Sequence, residues 1–209
     1  KFSKPIMKYE EGGSLTSIFG MKSLGIAPAN GQELYEYRDG TVSYQWATAQ
    51  QVIIGNEEPK LQGSFGLNAR YKNFTLYTTF LFETGADAYN QTLVDNVENI
   101  DFWSRNADKR IMSQRWQKPG DVTTLKSIKD RFRITRPTSR FIQKNNTLTF
   151  NSLSVGYDFD AHLIQRIGLS MLRLQFNMKD IAVMSSIKQE RGLDYPFART
   201  FNFTLNASF

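Results

Sequence analysis

The segment from Arg199 to Phe209 alternates strictly: Phe201, Phe203, Leu205, Ala207 and Phe209 are apolar, while Thr200, Asn202, Thr204, Asn206 and Ser208 are small and polar. Successive side chains of a strand point to opposite faces, so the spacing predicts one face against something apolar and the other against something wet. A soluble domain gains little from an aromatic at a fraying terminus, whereas outer-membrane barrels set aromatics at the lipid interface. The segment is read as the closing strand of an all-β, transmembrane antiparallel β-barrel, with Phe201, Phe203, Leu205 and Phe209 as its assembly residues.

Composition agrees once barrel geometry is considered. A hydrophobic content of 40% and a negative mean hydropathy point to no membrane helix, and no run reaches the roughly 20 apolar residues one requires. A barrel strand needs only about 9 to 11 residues, half of them apolar, which keeps average hydropathy low. The chain opens on Lys1-Phe-Ser-Lys without an initiating Met or an apolar leader, and is expected to begin inside a longer protein.

Catalytic and metal chemistry finds little support. Cysteine is absent and His162 is the single histidine, read as an ordinary turn residue. Glu57, Glu58 and Asp101 show no spacing that marks paired acid/base work. No enzyme activity, metal or cofactor is expected. Asn-x-Ser/Thr triplets begin at Asn73, Asn90, Asn145, Asn202 and Asn206; two lie inside the final strand, so the set is read as lumen-facing polar positions rather than glycan acceptors.

Four further strands are expected. About Gln62 to Tyr71 places Phe65, Leu67, Ala69 and Tyr71 on one face, and Lys72-Asn73 turns the chain into Phe74 to about Glu83, with Phe74, Leu76, Thr78, Phe80 and Phe82 aligned. A long connection to Asn146 holds Leu93, Val97 and Ile100 at helical spacing, which predicts a short surface helix packed onto the loop. Thr147 to Phe159 aligns Leu153, Val155, Tyr157 and Phe159, but Leu148 and Phe150 fall out of phase, which predicts a bulge or a change of environment near Asn151. After a short connection, Leu172, Leu174, Phe176 and Met178 mark the fourth strand, and another long connection reaches Pro196. Upstream, Glu11 to Pro59 reads as a long surface excursion with turns at Asn30-Gly31 and Asp39-Gly40 and β-like runs at Glu33 to Tyr37 and Val52 to Ile54.

Connection length alternates short and long. With tight turns periplasmic and long loops extracellular, the fifth strand descends and Phe209 ends in the periplasm. Tyr71, Phe74, Tyr157 and Phe209 then fall at the periplasmic ends, where an aromatic girdle belongs. Five strands cannot close a barrel, so the chain is expected to be a fragment of one.

Several stretches carry a family resemblance: Gly20-Met-Lys-Ser-Leu-Gly-Ile, Pro28-Ala-Asn-Gly-Gln-Glu, Pro59-Lys-Leu-Gln-Gly-Ser-Phe-Gly, Arg70-Tyr-Lys-Asn-Phe-Thr-Leu, Tyr89-Asn-Gln-Thr-Leu, Arg115-Trp-Gln-Lys-Pro-Gly-Asp and Phe150-Asn-Ser-Leu-Ser-Val-Gly-Tyr. In order, and with the final-strand ending, they resemble the C-terminal barrel part of SusC/RagA-type TonB-dependent outer-membrane transporters of Bacteroidetes. The resemblance implies that residues 1–209 are part of a plugged barrel of roughly 22 strands. It further implies import of oligosaccharides or peptides, a SusD-like surface lipoprotein as lid, and coupling to TonB-ExbB-ExbD through a plug and N-terminal part that this chain lacks.

Charge is concentrated in one place. Residues 105–144 hold twelve Lys/Arg against Asp108, Asp121 and Asp130, a balance of +9 in a chain of net +6, so the remainder is net acidic by three. Such a loop suits lipopolysaccharide phosphates, an acidic lid surface or an anionic ligand, or is simply solvated. Nucleic acid is not expected, because the aromatics alternate on strands instead of interleaving with the cations. Trp46, Trp103 and Trp116, with Tyr44, fall in the predicted extracellular loops and are candidate substrate-binding rings; packing of the loops is the alternative role. The leading expectation is an oligosaccharide importer of the outer membrane, with a RagA-type peptide importer or a soluble all-β binding module as alternatives.

Overall fold

The computed structural model describes residues 3–6, 8–101, 103, 106–130, 133–188 and 199–209. The chain divides into two compact units. A loop unit comprises Lys1–Glu58, Ala86–Lys144 and Ile187–Gly192, and a sheet unit comprises Pro59–Gly85, Asn145–Ser186 and Leu193–Phe209.

In the loop unit, Ser17–Gly20 (β1), Lys22–Ile26 (β2), Glu33–Glu36 (β3), Val42–Ser43 (β4) and Val52–Asn56 (β5) form two small antiparallel sheets, β1 with β5 and β2-β3-β4. The predicted turns are present. At Asp39-Gly40 the glycine takes φ 81° while the Asp39 carboxylate accepts the Thr41 amide at 2.9 Å. Gln91–Leu93 (α1), capped by the Asn90 side chain accepting from the Leu93 amide at 3.0 Å, runs into a π-helical turn at Val94–Glu98, and Arg110–Gln114 forms α2.

The expected short helix packs onto the loop: Val97 in the π-helical turn and Ile100 just beyond it are buried with Ile111 and Leu125, and Leu93 packs against them. Residues 11–59, expected as a surface excursion, also contribute buried side chains at Ile18, Phe19, Met21, Ile26 and Tyr35. Both segments serve a core that the long connections build for themselves. Full burial of such a side chain contributes about 1.5–3 kcal/mol, enough to order backbone that lies far from regular ladders.

In the sheet unit, Leu61–Tyr71 (β6), Phe74–Tyr89 (β7), Ile142–Asp158 (β8), Met171–Ser185 (β9) and Thr200–Ser208 (β10) line up as β10-β9-β8-β7-β6, so sequence neighbours are sheet neighbours. The pairs Tyr71↔Phe74, Asp158↔Arg173 and Ser208↔Met171 put both short connections and Phe209 at one end of the sheet. The long connections leave from the other end, as the alternation of loop lengths requires. The β6–β7 turn places Lys72 at φ 51°, the left-handed value a two-residue hairpin demands.

One face carries the predicted apolar set. Phe65 stacks on Phe80 at 5.1 Å, Phe80 on Phe150 at 4.6 Å, Phe74 lies 4.7 Å from Tyr157, and Phe176 lies 5.1 Å from Phe203. The β8–β9 register slips between Phe150 and Ser152, where Asn151 faces both Asp180 and Ile181, and Asp180 adopts φ 51°. Of the bulge and the change of environment expected near Asn151, the bulge is present, and Phe150 beside it shares the face of Phe80. The other face is polar: the Gln175 amide donates to the Ser154 hydroxyl at 2.9 Å and to Asn177 at 3.0 Å, and Arg173 donates to the Thr75 hydroxyl at 2.9 Å. Gly156 lets this cluster close, because a Cβ there would sit 2.5 Å from the Thr75 hydroxyl. Among the described residues no helix is long and apolar enough to cross a membrane.

Candidate functional site

A cavity of about 570 Å³ opens in the loop unit between the segment before and within β3, the residues after β4, and residues 126–136. On one wall the Trp46 indole donates to the Pro137 carbonyl at 3.1 Å, and the Arg136 guanidinium lies over the Trp46 ring, 4.8 Å from its centroid. The Pro137 carbonyl also accepts the Met21 amide at 3.0 Å, which ties this wall to the strand layer. Tyr44 stands beside Trp46 and is 43% exposed.

Deeper residues are buried and polar. Tyr35 donates its hydroxyl to Glu33 at 3.3 Å; burial and the adjacent Glu33 charge push its phenol above the ordinary tyrosine range. Lys126 donates to the Arg133 carbonyl and lies 3.8 Å from Asp130; burial lowers its pKa while Asp130 and Glu98 pull it back up. The Thr135 amide donates to Asn99 at 3.0 Å, but its hydroxyl, fully shielded, has no protein partner.

Beneath the cavity Arg140 joins carboxylates far apart in sequence. Its Nε and one Nη donate to the two oxygens of Glu33 at 3.1 and 2.9 Å, the same Nη reaches Glu98 at 2.6 Å, and the other Nη reaches the Thr124 carbonyl at 2.6 Å. Burial alone would lower the Arg140 pKa, but Glu33 and Glu98 outweigh it and hold the guanidinium charged. Arg115, also buried, donates to the carbonyls of Lys126, Val97 and Glu98 at 3.1, 2.9 and 3.0 Å. The basic segment is therefore only partly a surface: Arg115, Lys126 and Arg140 are internal ties, because irregular backbone leaves carbonyls that long cationic side chains can satisfy. Arg105 and Arg131 of that segment lie outside the described residues.

The candidate aromatics separate. Tyr44 and Trp46 line the same cavity. Trp116 is 6% exposed, donates its indole N–H to the Pro28 carbonyl at 2.9 Å, and presses on Gly31, where φ is +71° and a Cβ would meet the ring at 2.5 Å. Trp116 also borders a smaller hollow of about 260 Å³ with Gln32 and Asp130, residues that line the main cavity too. Trp103 is 89% exposed and lines neither. Sequence reasoning missed Glu33, Tyr35, Thr135 and Arg136 at this site; Glu33 meets Arg140 across 107 residues and Arg136 meets Trp46 from a distant segment, contacts that leave no local trace. His162 is exposed on the short helix Ala161–Ile164 (α3), and Glu57 and Glu58 are exposed. Among the described residues no three His, Cys, Asp or Glu side chains gather as a metal site would need.

Among the described residues the sheet unit is a five-stranded antiparallel sheet whose sequence neighbours are sheet neighbours, and the long connections fold into a unit of their own. No family model matches the chain. It is 26% identical over 199 residues to TonB-dependent receptor P3 of Formosa agariphila, covering 86% of this chain and 19% of that protein. In fold it is similar to the RagAB peptide importer in the open-open state, with a TM-score of 0.72 and 16% identity over 92% of this chain and 22% of that one. The closed-closed state of the same importer gives a TM-score of 0.66 at 16% identity, over 83% and 20% of the two chains. These findings bear out the resemblance to the barrel part of SusC/RagA-type TonB-dependent transporters. The chain spans about a fifth of the length of the proteins it matches.

Proposed function

We propose that the chain is the C-terminal barrel part of a TonB-dependent importer of the outer membrane, which takes up glycan oligosaccharides with a SusD-like surface lipoprotein as its lid. The observation that carries this reading is the similarity to TonB-dependent receptor P3 along most of the chain, joined to a sheet whose apolar face is exposed and whose opposite face is polar. In that setting β6–β10 form barrel wall with the apolar face on hydrocarbon, Phe209 lies on the periplasmic side, and the loop unit belongs to the extracellular side. Lipopolysaccharide then surrounds the outer rim.

The transport step is capture followed by release. Substrate is held by side chains of the long connections beneath the lid, and TonB-ExbB-ExbD remodels a plug that precedes this segment, which opens a path inward. The residues of this chain bind, orient and exclude water; none is assigned a covalent step.

A second reading, a peptide importer, is favoured by the fold similarity to the RagAB peptide importer. The test is uptake by cells carrying the full-length protein and its neighbouring lipoprotein, using labelled oligosaccharides and labelled peptides, with and without TonB. TonB-dependent oligosaccharide uptake is expected; TonB-dependent uptake of peptides alone would replace the first reading with the second, and no TonB-dependent uptake of either would overturn both.

A further inference from the structure

We propose that the cavity lined by Gln32, Tyr44, Gln45 and Ile134 is a subsite for a neutral sugar unit, a pyranose ring bearing hydroxyls and no charge; this rests on the oligosaccharide reading above. At about 570 Å³ the cavity has the size of a small-molecule site. Its selectivity follows from which lining groups are already committed and which are left for a ligand.

The charged groups are committed to the protein itself. Glu33 is saturated, since Arg140 takes both its oxygens, the Ser23 hydroxyl donates to it at 2.7 Å and Tyr35 at 3.3 Å. Lys126 donates to the Arg133 carbonyl, and Asp130 sits between Lys126 at 3.8 Å and Arg133 at 3.5 Å. The Arg136 guanidinium covers the Trp46 ring and has a further interaction besides. The Arg133 side chain is 73% exposed, so an anion beside it competes with water and gains little. A charged ligand entering the cavity would therefore shed its hydration without finding a counterion of its own.

The groups left over are neutral and reachable. The side-chain amides of Gln32 and Gln45 and the Tyr44 hydroxyl line the cavity without a hydrogen-bond partner among the described residues, and none of them is shielded from solvent. The amides and the phenol can each both donate and accept, and a sugar hydroxyl does the same, so pairing works in either direction. The Thr135 hydroxyl takes no part, because it has no accessible surface. Apolar surface lies beside these groups on the Tyr44 ring, 43% exposed, and on Ile134, 55% exposed. Such surface suits the C–H face of a pyranose, with Trp46 as supporting wall behind Arg136. A neutral sugar uses both features together: its ring on Tyr44 and Ile134, its hydroxyls on Gln32 and Gln45.

The test uses the full-length transporter with its lipoprotein in detergent, all substitutions being confined to the transporter. A panel of neutral trisaccharides of glucose, mannose, galactose and xylose is titrated beside triuronates, the glucosamine trimer and triglycine blocked at both ends as a neutral peptide. The best neutral trisaccharide is expected to bind about tenfold tighter than any charged trimer or the peptide. Gln32→Ala and Gln45→Ala should each weaken it about fivefold, the loss of one hydrogen-bonding partner. Tyr44→Phe should cost less than Tyr44→Ala, which removes the ring as well as the hydroxyl; resistance of the barrel to unfolding on unheated gels reports that each variant is folded. A charged trimer or the blocked peptide binding as tightly as the best neutral sugar, no binding of any neutral trisaccharide, or unchanged affinity in folded Gln32→Ala and Gln45→Ala would overturn the subsite. TonB-dependent uptake of oligosaccharides alongside any of those results leaves the import reading standing, whereas absent oligosaccharide uptake removes that reading itself.

Discussion

The sheet unit and the loop unit invert each other. The sheet leaves large apolar side chains outside, with Phe65 53%, Phe203 69% and Leu205 64% exposed, and keeps its polar network on the other face. The loop unit does the reverse for charge: Glu33, Glu98, Arg115 and Lys126 are each at most 4% exposed. Each pattern follows from where its backbone hydrogen bonds go. A ladder satisfies its own amides and carbonyls, so its side chains are free to face hydrocarbon. Irregular connections leave carbonyls open, and buried Arg and Lys close them while carboxylates balance the charge.

If that contrast is right, the largest single effect belongs to Arg140. Replacing it with Leu strands Glu33 and Glu98 as buried charges without their shared partner, at about 3–5 kcal/mol. Limited proteolysis of the full-length protein should show cuts between residues 17 and 141, with the strands β6–β10 still protected. Cleavage spread evenly over both units would break the distinction between them.

Next in size is the register of β10. Arg at Phe203, opposite Phe176, should cost about 2–4 kcal/mol if that position meets the hydrocarbon midplane, whereas Arg at Asn202, opposite Asn177, should be tolerated. Folded barrel recovered from outer membranes measures both. Equal losses would mean the two faces do not meet different solvents.

Gly31→Ala probes how tightly the loop unit is packed. The position needs φ +71° and its Cβ would meet Trp116, so a loss of about 1–3 kcal/mol is expected, together with a changed Trp fluorescence spectrum. An unchanged spectrum and unchanged protease resistance would show the Trp116 contact to be dispensable.

The smallest effect is a pH dependence. Because the folded Tyr35 phenol is held above its unfolded value, its stabilisation is complete below about pH 10 and declines as pH rises beyond it, where only the unfolded chain ionises. Tyr35→Phe should flatten that alkaline decline in protease resistance. A variant as alkali-sensitive as wild type would assign the decline to other groups.

The two units also differ in how far the sequence reveals them. Strands with an exposed apolar face leave a period-two trace, so β6 and β10 are found almost to the residue, and Leu148 and Phe150 falling out of phase betray the slip in β8. Strands β7 and β9 run on to Tyr89 and Ser185, past the last clear alternation; in β9 pairing resumes beyond the slip at Asp180, with Val183 opposite Thr149 and Ser185 opposite Thr147. In the loop unit β1 and β2 are too short to show a period. Glu33 and Arg140 are 107 residues apart, and a count of charges reads both as surface. Tyr44 and Trp46 were legible as candidate rings by type, but nothing local tells them from the buried Trp116 or the exposed Trp103.

Site-directed labelling along β10 tests the membrane-facing sheet most directly. The chain lacks cysteine, so single cysteines at positions 201 to 206 can be introduced into the full-length protein against a background that this segment leaves clean. In outer membranes, a lipid-soluble thiol reagent should mark the cysteines replacing Phe201, Phe203 and Leu205, and a water-soluble one, where it gains entry, only those replacing Asn202, Thr204 and Asn206. A two-residue period in reagent preference is the expected result. Uniform labelling of all six positions by the water-soluble reagent would contradict a strand with one face on lipid.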